Sequence, residues 1–327
     1  MRSLAIREVC QKPLRSALPR QTIALMIPRY CLLPDVGCIE VQGADARAFL
    51  HGQLSQEIAS LEHERAPLAG WHDARGRLRA LFRVLRLPNA WLLVTSKDML
   101  DLALERLRVF VLRADVTLAA TGQWDAAALI GDNDAWLANQ GLPRTLPRDG
   151  VVQQGSVHWI RFGPDLLQAL GPKHAIETFA QQIASAPAAL ATLAEIRLGI
   201  PTITPALIER YIPQMLNLDR LAAISFNKGC YPGQEVIARV RNLGSVKRRM
   251  RRYTAALQSA PPPGSEVFDR DGTDYRPVGE LVRAAPAEVG IELLAVVEHE
   301  AAQRELFIGD ERVPLLELPL PYDVPRS

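Results

Sequence analysis

The residues best suited to chemistry lie together in Phe226-Asn227-Lys228-Gly229-Cys230-Tyr231-Pro232-Gly233-Gln234-Glu235. A thiol stands between a cation and two glycines, directly ahead of Val236-Ile237-Ala238, whose apolar spacing reads as a helix. Lys228 favours thiolate over thiol, and so does the positive end of a helix starting at Pro232 or Gly233. Proline suits a first helical turn, and glycines at 229 and 233 let the backbone approach a ligand closely. Gln234 and Glu235 place polar groups in that first turn, and Tyr231 is the aromatic of the loop. Residue chemistry alone leaves two readings open: a reactive thiol at Cys230, or a buried structural cysteine beside a capped helix.

Positioning these residues requires a sizeable scaffold. From residue 36 onward short strands alternate with helices. Strands are expected over 36–41, 67–72, 78–87, 91–95 and 116–120, with helices over 45–51, closed by Gly52, and 99–112. A second round follows, with strands over 126–130, 157–162 and 166–169 and helices over 134–139 and 175–183. An Ala/Leu-rich helix over 187–198 is stopped by Gly199 and Pro201. Two rounds of strand–helix–strand–strand–helix–strand predict an α+β fold with two ferredoxin-like units. Beyond residue 248 the helical period vanishes. Short β-type runs over 278–282, 291–297, 306–308 and 313–316, separated by Pro261-Pro262-Pro263-Gly264, Asp271-Gly272 and Gly290, predict a small C-terminal β-barrel.

Length and composition set wider bounds. At 327 residues the chain is long enough for two or three domains, and 48% apolar with 23% charged residues is ordinary for a globular protein. A net charge of +2 gives no strong global field, so any nucleic-acid surface must be local. No apolar run reaches membrane-spanning length, which predicts no membrane partner; Ile23–Ile27 is closed by Pro28. Cysteines at 10, 31, 38 and 230 form no Cys-x-x-Cys pair, and the six histidines lack ligand spacing, which points to free thiols in a cytoplasmic setting and no metal centre. Residues 1–30 carry six cations against Glu8, and are expected to form a basic disordered tail, with a mitochondrial transit peptide as the alternative.

Lys-Gly-Cys-Tyr-x-Gly-Gln-Glu at 228–235 resembles the signature of the YgfZ family, folate-binding proteins related to the T-protein (aminomethyltransferase) of glycine cleavage and to iron–sulfur assembly factors. The similarity extends to Tyr211-Ile212-Pro213-Gln214, Asn217-Leu218, Val41–Asp45, Phe49–Leu54, Ala69-Gly70-Trp71 and Gly76-Arg77, in order over roughly residues 35 to 320. It implies a three-domain ring with folate near its centre. The expected division is a discontinuous first domain (31–50 with 121–247) carrying the motif, a second domain (51–120) and the barrel (248–327). It further implies a tetrahydrofolate-binding factor for iron–sulfur cluster assembly or repair, and so for maturation of cluster enzymes such as tRNA-modifying ones. Cys230 would be the functional thiolate or a transient cluster ligand, and iron–sulfur client or carrier proteins would be partners. Trp71, Arg197, Gln214 and Asn217 are the candidate folate contacts.

Two departures bear on activity. Where the T-protein has its catalytic aspartate, the corresponding pair is Ala80-Leu81, and neither can act as a general base. This favours an assembly factor over the alternative of a folate-dependent aminomethyl or one-carbon transferase. At the position where relatives carry a pterin-binding glutamate stands Arg197, which has no acceptor; Glu195 could substitute, or Arg197 could meet a carboxylate tail. A third reading is an RNA-binding module. Arg239, Arg241, Lys247, Arg248, Arg249, Arg251 and Arg252 fall within a stretch without an acid and are candidate tRNA contacts, although a solvated basic face has the same composition.

Overall fold

The fold was analysed in a computed structural model that describes residues 28–325, apart from Ser245 and Gly272. Expectations for residues 1–27, including the basic tail, the apolar run before Pro28 and Cys10, lie outside the described residues. The first element among the described residues is β1 (Arg29–Leu32), so the segment expected to be tail as far as residue 30 already enters a strand.

The first sheet collects β2 (Val36–Gln42), β3 (Leu68–His72), β4 (Leu78–Arg86), β5 (Trp91–Ser96) and β6 (Thr117–Thr121) in the order β3-β4-β5-β2-β6. All its neighbours are antiparallel. Helix α1 (Ala46–Gln53) connects β2 to β3, and α2 (Leu100–Arg108) connects β5 to β6. The order β4-β5-β2-β6 is that of a ferredoxin-like unit, with β3 added at the edge. Gly52 does not close α1, which continues to Gln53. Helix α2 ends at Arg108, short of the expected residue 112, and gives way to overlapping turns.

The second sheet comprises β1, β7 (Asp125–Ile130), β8 (Val151–Gln154), β9 (Val157–Gly163) and β10 (Leu166–Gly171), in the order β1-β7-β10-β9-β8. Helices α3 (Asn133–Asn139) and α4 (Lys173–Ala180) pack on one face, where Trp136, Trp159 and Phe179 meet ring to ring. The position a fourth ferredoxin-like strand would fill after α4 is taken by β1, from upstream. The segment 31–50 therefore does not travel with 121–247 as expected: β1 joins the second sheet, while β2 pairs with β5 and β6 in the first. The physical reason is pairing: β2, buried at Cys38 on one face and at Ile39 and Val41 on the other, is a central strand whose hydrogen-bond partners lie at 91–96 and 117–121.

Helix α5 (Ala188–Arg197) packs between the second sheet and the C-terminal barrel. Ala191, Leu193, Ala194 and Ile196 bury its apolar positions. Its start at Ala188 follows from Pro187, and Gly199 (φ 67°) ends it in the left-handed conformation. Residues 199–231 then run between the first sheet and the barrel as turns, and helix α6 (Gln234–Leu243) follows. The barrel closes six strands: β11 (Arg248–Ala255), β12 (Glu266–Asp271), β13 (Asp274–Pro286), β14 (Ile291–Glu298), β15 (Leu306–Ile308) and β16 (Val313–Leu318), in the order β11-β14-β13-β12-β15-β16. One continuous core spans both sheets, α5 and the outer face of the barrel, and the barrel encloses a second, separate core. Among the described residues no helix is long and apolar enough to cross a membrane.

Candidate functional site

Cys230 is exposed, and its loop is held at three neighbouring residues. Lys228 donates from Nζ to the carbonyls of His51, Leu54 (2.7 Å) and Gln56 (2.9 Å), which extend from the end of α1. An ammonium at the negative end of a helix satisfies carbonyls the helix leaves unpaired. Burial pulls Lys228 down to about 8, with Glu57 opposing the shift. No hydrogen bond joins Lys228 to Cys230 among the described residues; the lysine anchors the loop. Tyr231 is buried beneath the loop, 5.2 Å from Lys228 Nζ and 6.1 Å from the buried His72 ring. Desolvation holds the Tyr231 phenol up at about 12 and His72 down at about 3.

The two glycines differ in what they do. Gly233 has φ 78°, and a Cβ there would lie 2.5 Å from both Asp73 O and Gly76 Cα. The motif loop thus rests directly on the Asp73–Gly76 turn between β3 and β4, which explains why the early Gly76-Arg77 pair and the late motif belong together. At Gly229 the nearest atom to a built Cβ is His51 Nε2, 3.7 Å away, which is ordinary contact. Gln234 reaches back to Lys228 O at 3.5 Å, and Glu235 pairs with Arg239 one turn along α6.

The four candidate folate contacts are placed elsewhere and do not converge. Trp71 is fully buried, stacked under Arg79 (5.3 Å) and edge-on to Phe110. Gln214 donates to Ile237 O at 2.8 Å. Asn217, in the left-handed region at φ 57°, donates to Met250 O at 2.8 Å. Arg197 binds Glu292 of β14 with Nη2 at 2.7 Å and Nε at 3.1 Å, and Arg252 takes the other oxygen of Glu292 at 2.6 Å. Arg197 has its carboxylate inside the protein, whereas Trp71 Nε1 and Gln214 Oε1 are buried without a hydrogen-bond partner.

A cavity of about 420 Å³ does open where both sheets, α5 and the barrel meet. Leu68, Leu81, Val94 and Phe162 line it with apolar surface, and Glu195 of α5 and Arg283 of β13 lie across it in contact with each other. Arg283 also donates to Thr192 at 3.3 Å. At the wall, buried Arg83 gives Nη1 to Asp149 and Ala66 O (2.6 Å each), leaving Nε and Nη2 without partners, and buried Gln168 has an unpartnered Oε1. Such orphaned groups are uncommon in a protein interior and are satisfied by water or a ligand. Leu81, of the Ala80-Leu81 pair, lines this cavity; the carboxylates lining it are Asp35, Asp98 and Glu195. Sequence reasoning missed the pairing partner of Glu195 because Arg283 lies 88 positions away.

The basic stretch divides between the end of α6 and β11, and most of it is neutralised. Arg239 pairs with Glu235, Arg248 with Glu298, Arg249 with Asp219, Arg251 with Glu317 and Arg252 with Glu292. Arg241 stacks on Phe226 at 4.0 Å, and Lys247 is exposed. Arg249 is buried, giving Nη1 to Gln214 O at 2.8 Å as well as to Asp219. Among the described residues no three His, Cys, Asp or Glu side chains group in a way that could hold a metal ion, so Cys230 offers a single sulfur.

No family model matches the chain. It is 28% identical over 273 residues to the tRNA-modifying protein YgfZ of Colwellia psychrerythraea, covering 79% of this chain and 81% of that one. It is 28% identical over 329 residues to the protein of that name from Sodalis glossinidius, covering 95% and 97%. The Escherichia coli protein of the same name is 25% identical over 327 residues, covering 94% and 97%. Among solved structures, the glycine cleavage system aminomethyltransferase T of Bartonella henselae superposes with a TM-score of 0.71 at 17% identity, over 92% of this chain and 86% of that one. The chain is therefore a relative of YgfZ along most of its length, built on the fold of the glycine cleavage aminomethyltransferase.

Proposed function

We propose that this protein is a cytoplasmic, tetrahydrofolate-binding factor that supports tRNA modification through iron–sulfur cluster assembly or repair, with Cys230 as its functional thiol. The link to tRNA modification is supported by the names its relatives carry. The observation that carries the folate reading is the cavity at the junction of the three units. Its volume suits a small-molecule site. Its apolar walls would hold a flat ring system, while Glu195, Thr192, Gln168 and Arg283 present both donors and acceptors to a polar heterocyclic edge. Folate bound there would carry a one-carbon unit. The chain's own contribution is to bind and orient the ring and exclude water, because the Ala80-Leu81 pair supplies no proton acceptor where the resemblance puts the T-protein's aspartate. That is the argument for a factor over an aminomethyltransferase.

The thiol lies on a separate surface. A cluster reaching Cys230 would be cargo: this chain supplies one sulfur ligand, and the donor or acceptor protein supplies the others. The Lys228 anchor and the Gly233 contact keep that sulfur in a fixed, exposed position. Direct tRNA contact through 239–252 would fall to Arg241 and Lys247, since the other five cations are paired with carboxylates.

Anaerobic calorimetry of tetrahydrofolate tests the reading. Wild type and Cys230→Ser are expected to bind about equally, and Gln168→Ala to bind about tenfold more weakly, the loss of one buried hydrogen bond. No heat with the wild type at two temperatures would remove folate from the function.

A further inference from the structure

A second cavity, of about 530 Å³, opens between α6, the turns over 214–226 and the start of β11, and it shares no lining residue with the cavity assigned to folate. Its charged lining sets three guanidinium groups, Arg220, Arg241 and Arg249, against one carboxylate, Asp219, an excess of two positive charges. That carboxylate is already committed. Arg249 takes both of its oxygens, at 2.7 and 3.1 Å, and Arg220 stays 3.9 Å away. Arg241 makes no ion pair among the described residues, and both Arg220 and Arg241 are exposed. The adjoining cavity, which also includes His299, is balanced: Lys247, Arg248 and Arg251 meet Glu298, Glu300 and Glu317. The excess of charge is therefore local to the first.

Polar groups in its wall also lack partners. Arg249 is 5% exposed and its Nε is unbonded, Gln214 is 2% exposed with Oε1 unbonded, and His299 Nε2 is in the same state. Buried groups like these are satisfied by water or a ligand. Burial and the charges of Arg251 and Arg249 hold His299 below the usual histidine range, so the ring adds no charge of its own at neutral pH. Phe226 lines the cavity too, but it packs on the core and carries Arg241 at 4.0 Å, so its ring is not free to stack a base. Recognition here rests on charge. A phosphate monoester carries about −1.5 to −2 at pH 7 and three acceptor oxygens, which matches two uncompensated guanidinium groups. A phosphodiester brings a single charge and two continuing chains, which suit an open face better than a concavity.

We propose that this cavity binds a terminal phosphate monoester, held by Arg220 and Arg241 at the mouth with Arg249 behind them. A free nucleotide and the 5′ end of a tRNA present the same chemistry, and the two are told apart by the probes below. The site is independent of folate binding, so neither proposal stands or falls with the other.

The test follows the His299 ring resonances of the full chain as inorganic phosphate, 5′-AMP, adenosine, total tRNA and phosphatase-treated tRNA are added. Phosphate and 5′-AMP are expected to shift them saturably, and adenosine to leave them in place. Binding is expected to be at least tenfold weaker in Arg220→Glu and in Arg241→Glu. Lys173→Glu makes the same change of charge on α4, outside the cavity, and is expected to bind as wild type does. Arg220 and Arg241 are exposed, so both variants are expected to unfold in urea at the wild-type midpoint. A response to tRNA that phosphatase abolishes would assign the phosphate to a tRNA end, and a response to 5′-AMP without one to tRNA would assign it to a free nucleotide. The proposal is overturned if neither phosphate nor 5′-AMP moves the ring, if adenosine or phosphatase-treated tRNA acts as well, or if both charge reversals leave the affinity unchanged.

Discussion

The motif loop is fixed one residue at a time, and its two glycines are not equivalent. Gly233→Ala places a methyl group 2.5 Å from the Asp73–Gly76 turn at φ 78°, and is expected to cost about 2 kcal/mol or more. Gly229→Ala meets only His51 at 3.7 Å and is expected to stay within about 0.5 kcal/mol of wild type. Urea unfolding of both variants reads the difference, and equal losses would contradict the packing described. His72 makes a second residue-scale case. Both ring nitrogens are buried without partners, and desolvation lowers the folded-state value to about 3. A depressed histidine contributes stability that is complete above the unfolded value near 6.5 and lost as pH falls toward 3, because the unfolded chain takes up the proton first. Stability is expected to drop by up to about 1.4 kcal/mol per pH unit below 6.5, and His72→Leu should flatten that slope. Parallel stability curves for the two proteins would show that His72 is not the cause.

At the scale of elements, β11 shows what was legible in the sequence and what was not. Strands such as β4 and β5 announce themselves by apolar runs, and α6 by its spacing after Pro232-Gly233. In β11 the buried positions Met250, Tyr253 and Ala255 are interrupted by four arginines, so the stretch reads as a charge run and not as a strand. Only the fold reveals that these arginines meet acids from 219, 292, 298 and 317. The partners of the candidate folate contacts were hidden for the same reason: Gln214, Asn217 and Arg197 find partners at 237, 250 and 292, which no local pattern encodes. The motif itself was legible because its chemistry is contiguous. The arginines also differ in energy. Arg249→Ala strands Asp219 and the Gln214 carbonyl and is expected to cost about 3 kcal/mol or more, whereas Arg248→Ala on the exposed face is expected to cost less than about 1 kcal/mol. Loss of tRNA binding in an Arg248/Arg249→Ala double variant would therefore need a check of folding before it spoke about RNA.

Across the whole molecule, one buried carboxylate joins three elements at the seam between the barrel and α5. Glu292 of β14 is 3% exposed and takes Arg197 from α5 and Arg252 from β11. Glu292→Ala leaves two guanidinium groups facing each other out of water, and is expected to lower the unfolding midpoint and to split the transition, with the barrel melting apart from the sheets. A single shifted transition in calorimetry would show that the remaining contacts of α5, including Glu195 and Thr192 with Arg283, hold the barrel without Glu292.

The entry of the chain into its second sheet has a consequence for synthesis. β1 is made first but finds its partner, β7, only when residues 125–130 emerge. At ribosomal speeds of about 5–20 residues per second, Arg29–Leu32 waits roughly 5–20 s with its edge unsatisfied while the first sheet is completed beside it. Its small size and the arginine at its start suit that wait, since short charged edges resist pairing with strangers. The protein is thus laced together in time as well as in space: the second sheet cannot close until a segment already long outside the exit tunnel is recovered, so a defect near residue 30 is expressed in a layer built from residues a hundred positions later.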